Sequence, residues 1–230
     1  MYFTDTPSLN SLEAIMKRPP GSVRRGGGKY RSRYKYTKAD CDCRFCLYYR
    51  KKTGCTAAIC PVMNIRIECG AATLADAVKD AFKETKHPAL KRRIAQTYSR
   101  KDDTLMKFQT NRHKQIFEEQ LRNLRKPSKK AVAVLYLLTS DKALWLKAKR
   151  HLSGSGKVDI KAIHLGDISP DGYALWKAVK ELQTGEKQIS LCELADNSII
   201  SDHAFRLIVQ AIAIAHFGTA VLTDSEVRHV

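Results

Sequence analysis

Six of the seven cysteines in this 230-residue chain, Cys41, Cys43, Cys46, Cys55, Cys60 and Cys69, fall within 29 residues. A segment so short and so rich in thiols is hard to stabilise with an apolar core alone, and the spacing calls for a metal or disulfides. The cluster lies in the basic half of the molecule. Residues 1–130 carry 30 Lys/Arg against 12 Asp/Glu and residues 131–230 carry 11 against 11, so the formal charge of +18 resides entirely in the first part. The asymmetry predicts a polyanion-facing half joined to an ordinary globular half.

Hydrophobic residues make up 43% of the chain, enough for a packed core, but the first 40 residues are too basic and too rich in Gly and Pro to contribute to one. They read as a disordered arm or one ordered only on a partner. Residues 17–38 hold nine basic residues and no acidic one. Among them Arg24, Arg25, Lys29, Arg31, Arg33, Lys35 and Lys38 are interleaved with Tyr30, Tyr34 and Tyr36 around Gly26-Gly27-Gly28. Cations and aromatic rings on a flexible backbone suit phosphate contact combined with base stacking. The alternatives are a solvated tail and a site for an acidic protein. Met1–Met16 has no charged start followed by a long apolar run, and no uncharged stretch reaches the length of a span. The expectation is a cytoplasmic protein of a bacterium, or of a host cell if phage-encoded, with no membrane partner.

In a reducing compartment clustered cysteines are more often metal ligands than disulfides. Cys43-Arg-Phe-Cys46 forms a knuckle in which two thiolates grip one ion, and Cys55 with Cys60 supplies a second pair after Gly54. The resulting C-x2-C-x8-C-x4-C pattern fits a tetrahedral zinc site, with Cys41 or Cys69 able to replace one member of the cramped set. An iron–sulfur cluster and free buried thiols remain alternatives, although the spacing matches neither ferredoxin pattern. Arg44, Arg50, Lys51 and Lys52 would lower the thiol pKa values and place cations beside Phe45, Tyr48 and Tyr49. Val62–Glu68 alternates apolar and polar, predicting a short strand of the same module.

The rest of the chain carries helical signals. Thr73 to Asp76 resembles a capping box, Pro88 opens a helix reaching about Ser99 that bears Lys91, Arg92 and Arg93, and a third helix spans about Thr110 to Arg125. A basic knot of Arg122, Arg125, Lys126, Lys129 and Lys130 around Pro127 marks a boundary. Beyond it, Ser128 caps an apolar core helix, Asp141 caps the next, Ser169-Pro170 opens one closed by Gly185, Ser190 starts a short one, and Ser201-Asp202 starts the last, stopped by Gly218. The expected architecture is mainly α: a flexible basic arm (1–40), a cysteine-rich zinc module (41–70), a basic helical segment (71–127) and a compact helical domain (128–230).

Catalytic signals are weak. No HExxH pair, phosphate-binding GK[ST] loop or nuclease carboxylate set is present, and the expectation is a protein that is not an enzyme. His113 reads as a solvated helix histidine, with phosphate contact as the alternative. Cys192 reads as a small core residue. Asp167, Asp171 and Asp196 are explained by capping.

Phe108-Gln-Thr-Asn-Arg-His113, Ala133–Leu138 and the run from Leu175 to Leu194 make residues 107–221 resemble a small helical domain found in proteins of Firmicutes phages and mobile elements. The resemblance implies a bacterial or phage setting and transfers no function. The function expected from the residues is nucleic-acid binding by the arm, the module and the 91–130 helices, with single-stranded RNA or DNA ahead of duplex. The C-terminal half is left for a protein or nucleoprotein partner. The rival is a protein that inhibits a host nucleoprotein such as a CRISPR effector.

Overall fold

The computed structural model describes residues 36–99 and 107–222. Among these residues one two-stranded ribbon precedes nine α-helices. Turns of 3-10 helix at Ala39–Cys41 and Cys43–Phe45 lead into β1 (Tyr49–Arg50) and β2 (Gly54–Cys55), paired antiparallel with Tyr49 opposite Cys55. The helices are α1 (Met63–Glu68), α2 (Leu74–Ala81), α3 (Pro88–Thr97), α4 (Asn111–Asn123), α5 (Lys129–Ser140), α6 (Lys142–Ala148), α7 (Pro170–Thr184), α8 (Leu191–Ala195) and α9 (Asp202–Phe217). Further 3-10 turns lie at Lys149–His151, Ile160–Ala162 and Thr219–Leu222. The mainly helical expectation is met.

Most helix starts follow from local chemistry. The first turn of a helix leaves backbone N–H groups without partners, and a short polar side chain just before it accepts from one of them, contributing about 1 kcal/mol. Thr73 and Asp76 close a capping box at α2, with the Asp76 N–H donating to Thr73 Oγ1 and the Thr73 N–H donating to Asp76 Oδ2 at 2.9 Å. Ser190 and Glu193 close a second at α8. Thr110, Ser128, Asp141, Ser169 and Ser201 cap α4, α5, α6, α7 and α9. At the far end of α7, Gly185 turns the chain at φ +80°, a conformation costly for any residue with a Cβ.

Val62–Glu68 departs from its expectation. The segment is helical from Met63 to Glu68, not a strand. Its apolar residues serve both periods: Met63 and Ile67, four apart, share a face in either, but Ile65 between them is only half-buried, where a strand would bury it with the other two.

Residues 131–140 of α5 are buried without a break, as an apolar sequence with no polar face requires. Helix α9 lies along α5 and also meets α2 and α7, while α4, α6 and α7 cover the remaining sides of α5. Each fully buried Leu, Val or Ile contributes about 1.5–3 kcal/mol relative to an exposed one. The core is continuous from Met63 to Leu222, so Val78, Leu90 and Phe117 share it with Leu135, Trp176 and Ile208. The turn Thr219–Leu222 packs against α1, holding the end of the cysteine module to the bundle. Among the described residues no helix is long and apolar enough to cross a membrane.

Candidate nucleic-acid interface and cysteine module

The knuckle is built by one aspartate. Asp42 accepts from the Arg44 backbone N–H at 2.8 Å, and from the Arg44 guanidinium at 2.8 and 2.6 Å. These bonds from Arg44 hold the Asp42 carboxyl below the usual carboxylate range. They bend the chain so that the Cys46 N–H donates to the Cys43 carbonyl at 3.0 Å and the Tyr49 N–H to Cys46 at 2.9 Å. Gly54 turns the ribbon at φ +73°, and Thr56 returns to the Tyr48 carbonyl through its N–H at 2.8 Å and its hydroxyl at 2.9 Å.

The knuckle and the residues leading into β1 present large side chains to solvent, while Tyr49 of the ribbon is half-buried. Phe45 is 81% exposed, Leu47 87% and Tyr48 46%, and the exposed Arg44, Arg50, Lys51 and Lys52 surround them in sequence. This grouping of exposed apolar side chains and cations in one stretch makes it the candidate contact surface. Behind it the module is tied to α2. Lys83 Nζ donates to the carbonyls of Ala57 and Cys55, and the Cys60 N–H donates to Asp80 Oδ2 at 2.6 Å. Neither Asp80, on α2, nor Lys83, in the turn after it, stood out in the sequence, because nothing local marks such a charged residue as an anchor.

The thiols sort themselves by surroundings. Cys55 is exposed and the other five of the cluster are half-buried. Cys41 and Cys69 touch, Sγ to Sγ, at 3.3 Å, and Cys69 Sγ also reaches the Arg66 carbonyl at 3.4 Å. Burial, reinforced by Cys69, pushes the Cys41 thiol up to about 11. Burial by itself would lower the Arg66 guanidinium, and the neighbouring Cys43 and Cys60 thiols outweigh it and hold the group above its ordinary value. Arg66 Nε is buried with no hydrogen-bond partner, so a thiolate beside it would find a ready donor. Among the described residues no group of three or more His, Cys, Asp or Glu side chains is placed to hold a metal ion.

The remaining basic candidates divide. Arg24, Arg25, Lys29, Tyr30, Arg31, Arg33, Tyr34 and Lys35 lie outside the described residues. Tyr36 and Lys38 are exposed, as are Lys91 and Arg92 on α3 and Arg122, Arg125 and Lys126 at the end of α4. Arg93 is not available to phosphate. It is 7% exposed, its guanidinium donates to the Leu194 and Ile200 carbonyls at 3.0 and 2.7 Å and to Asp202 Oδ1 at 2.8 Å, and it lies 4.2 Å over the Phe205 ring. Three consecutive basic residues on a helix cannot share one face, and the third turns inward.

Two further expectations are corrected. His113 is not solvated but buried, in a ring cluster with Phe108, Phe117 and Tyr136. Its Nδ1 accepts from the Gln109 N–H at 3.2 Å, which leaves the proton of the neutral ring on Nε2 to donate to the Tyr136 carbonyl at 3.0 Å. Burial drives its pKa down to about 4. Nearby, the Tyr136 hydroxyl reaches Gln210 Oε1 at 2.6 Å and the Lys107 carbonyl at 2.8 Å, one proton between two acceptors. Cys192 is exposed and not a core residue, with Sγ 3.5 Å from His87 Nε2. Asp171 accepts from Ser201 Oγ at 2.8 Å, 30 positions away, whereas Asp196 accepts locally from the Ser198 N–H at 2.8 Å.

Comparison of the chain with protein families, with curated proteins and with solved structures finds no match.

Proposed function

We propose that this protein binds nucleic acid, single-stranded RNA or DNA ahead of duplex, through the ribbon of its cysteine module together with the exposed basic side chains around it. The observation that carries the reading is the exposure of Phe45, Leu47 and Tyr48 among Arg44, Arg50, Lys51 and Lys52. Apolar and aromatic groups so exposed cost the free protein and gain a purpose when bases stack on them. Every base has a flat face, and stacking on an aromatic side chain contributes about 1–3 kcal/mol per base. Lys51 and Lys52 remain for phosphates, whereas Arg44 is partly neutralised by Asp42. The excess of 30 Lys/Arg over 12 Asp/Glu in residues 1–130 supports the same partner.

Within this reading the thiols of Cys43, Cys46, Cys55 and Cys60 are the donor set for zinc, with Cys41 and Cys69 as the substitutes the cramped spacing allows. Thiolates suit zinc, and a closed four-thiolate site would stiffen a ribbon that has two residues in each strand.

The test is a salt titration of affinity for single-stranded and duplex oligonucleotides by fluorescence anisotropy. Removing Arg50, Lys51 and Lys52 together is expected to flatten the slope of log affinity against log salt by about 2 on single strands. The F45A/Y48A variant is expected to weaken binding about tenfold or more with the slope unchanged. Negligible affinity for both strand forms at moderate salt would overturn the proposal and point to an acidic protein. Metal analysis after purification without added metal tests the zinc assignment separately, and a folded, metal-free protein would remove it.

A further inference from the structure

We infer that Cys41 and Cys69 form a redox pair: a dithiol that closes to a disulfide across the base of the ribbon module, separate from the four thiols of the C-x2-C-x8-C-x4-C set. The pair is 28 positions apart in sequence and already in contact at 3.3 Å. A disulfide needs its sulfurs at about 2.05 Å, so closure asks for an approach of roughly 1.3 Å, within the reach of side-chain torsions. Cys69 is the C-cap residue of α1, whose Met63 and Ile67 are set in the core. Cys41 ends the 3-10 turn Ala39–Cys41 just before the Asp42 knuckle. The bond would therefore fasten the start of the module to a helix anchored in the core, with Phe45, Leu47 and Tyr48 inside the closed loop. Both residues are half-buried.

The chemistry needs an oxidant, and a low-molecular-weight disulfide such as oxidised glutathione is the class that fits. One protein thiolate attacks it, forming a mixed disulfide and releasing one small thiolate. The second protein sulfur then attacks the protein sulfur of the mixed disulfide, closing the Cys41–Cys69 bond and releasing the other. Two electrons pass to the oxidant, and the two thiol protons go to the released thiolates. In reducing compartments protein disulfides are typically transient and redox-sensing, which suits a bond that forms and reopens. The inference does not depend on the module binding nucleic acid.

The experiment takes the full-length protein through glutathione buffers of increasing oxidised fraction, traps free thiols by alkylation, and maps the products by mass spectrometry of a non-reducing digest. A Cys41–Cys69 cross-linked peptide is expected as the first and dominant disulfide, with Cys43, Cys46, Cys55 and Cys60 recovered in alkylated form. Cleavage of the ribbon by a protease is expected to slow several-fold in the oxidised protein and to recover on reduction. C41S and C69S are each expected to abolish the cross-link. Disulfides scattered among the other four thiols, or Cys41 and Cys69 still free under fully oxidising buffer, would overturn the pairing. Loss of bound zinc in C41S or C69S would also overturn it, assigning the two thiols to the metal. The wild-type map needs no variant, so misfolding of either mutant leaves the test intact, and anisotropy reads nucleic-acid binding independently.

Discussion

Replacing Arg93 by alanine separates structural from phosphate-binding roles on one helix. The side chain is 7% exposed and donates to two carbonyls, Leu194 at 3.0 Å and Ile200 at 2.7 Å. Removing it strands both acceptors, at about 1–3 kcal/mol each. The contact with Phe205 at 4.2 Å adds roughly 0.5–2 kcal/mol. The pair with Asp202 adds little, since that carboxylate is 77% exposed and screened by water. The expected loss is about 3–5 kcal/mol, a fall in Tm of about 10 °C for a chain of this size. Lysine in place of Arg93 keeps the charge and loses the fork that serves two carbonyls at once, so it should recover only part of the loss. The neighbouring Arg92 is exposed, and R92A should alter stability by less than about 0.5 kcal/mol while weakening binding to oligonucleotides. Urea unfolding of the three variants, with anisotropy at fixed salt and matched folded concentration, checks the set. Wild-type stability in R93A, or a binding defect in folded R93A that R92A lacks, would refute the reasoning.

Two further predictions follow from burial and backbone geometry. His113 has its folded pKa lowered to about 4 from the ordinary 6.5, so the unfolded chain takes up a proton that the native one refuses. Its contribution is complete above about pH 6.5 and is lost as pH falls toward 4, about 3 kcal/mol in all, and H113Q should flatten that part of the urea-derived stability profile. Gly156 sits at φ +82° where a Cβ would lie 2.8 Å from Ala131 Cβ, whereas Gly185, at φ +80°, faces open space. G185A is expected to cost about 1 kcal/mol, the backbone penalty alone, and G156A to cost at least about 1 kcal/mol more through overpacking against α5. Equal thermal shifts in the two variants would contradict the contact.

What the sequence determined was everything settled within a few residues. The caps of α2, α5, α6, α7, α8 and α9 were legible because each is a bond between a side chain and a backbone N–H three residues on, and that bond needs no partner from elsewhere. The core position of α5 was equally legible, since Ala131–Leu138 offers no polar face to water. Phe45 and Tyr48 belong to a middle case: the cations beside them suggested a contact surface, but exposure itself is a property of the folded chain, and it alone brought in Leu47. Arg93, His113 and Cys192 were decided by tertiary structure. The carbonyls that draw Arg93 inward lie 101 and 107 positions away, His113 is enclosed by Tyr136 from another helix, and Cys192 stands outside the core although Leu194, two positions on, is inside it. Met63 and Ile67 tell the same story, because the alternation of Val62–Glu68 read as a strand and the packed core received the segment as a helix. The same holds for the contact of Cys41 with Cys69, which spacing could not single out from six thiols. Local hydrogen bonds are written in neighbouring residues, whereas burial and long-range pairing depend on which surfaces the packed helices bring together.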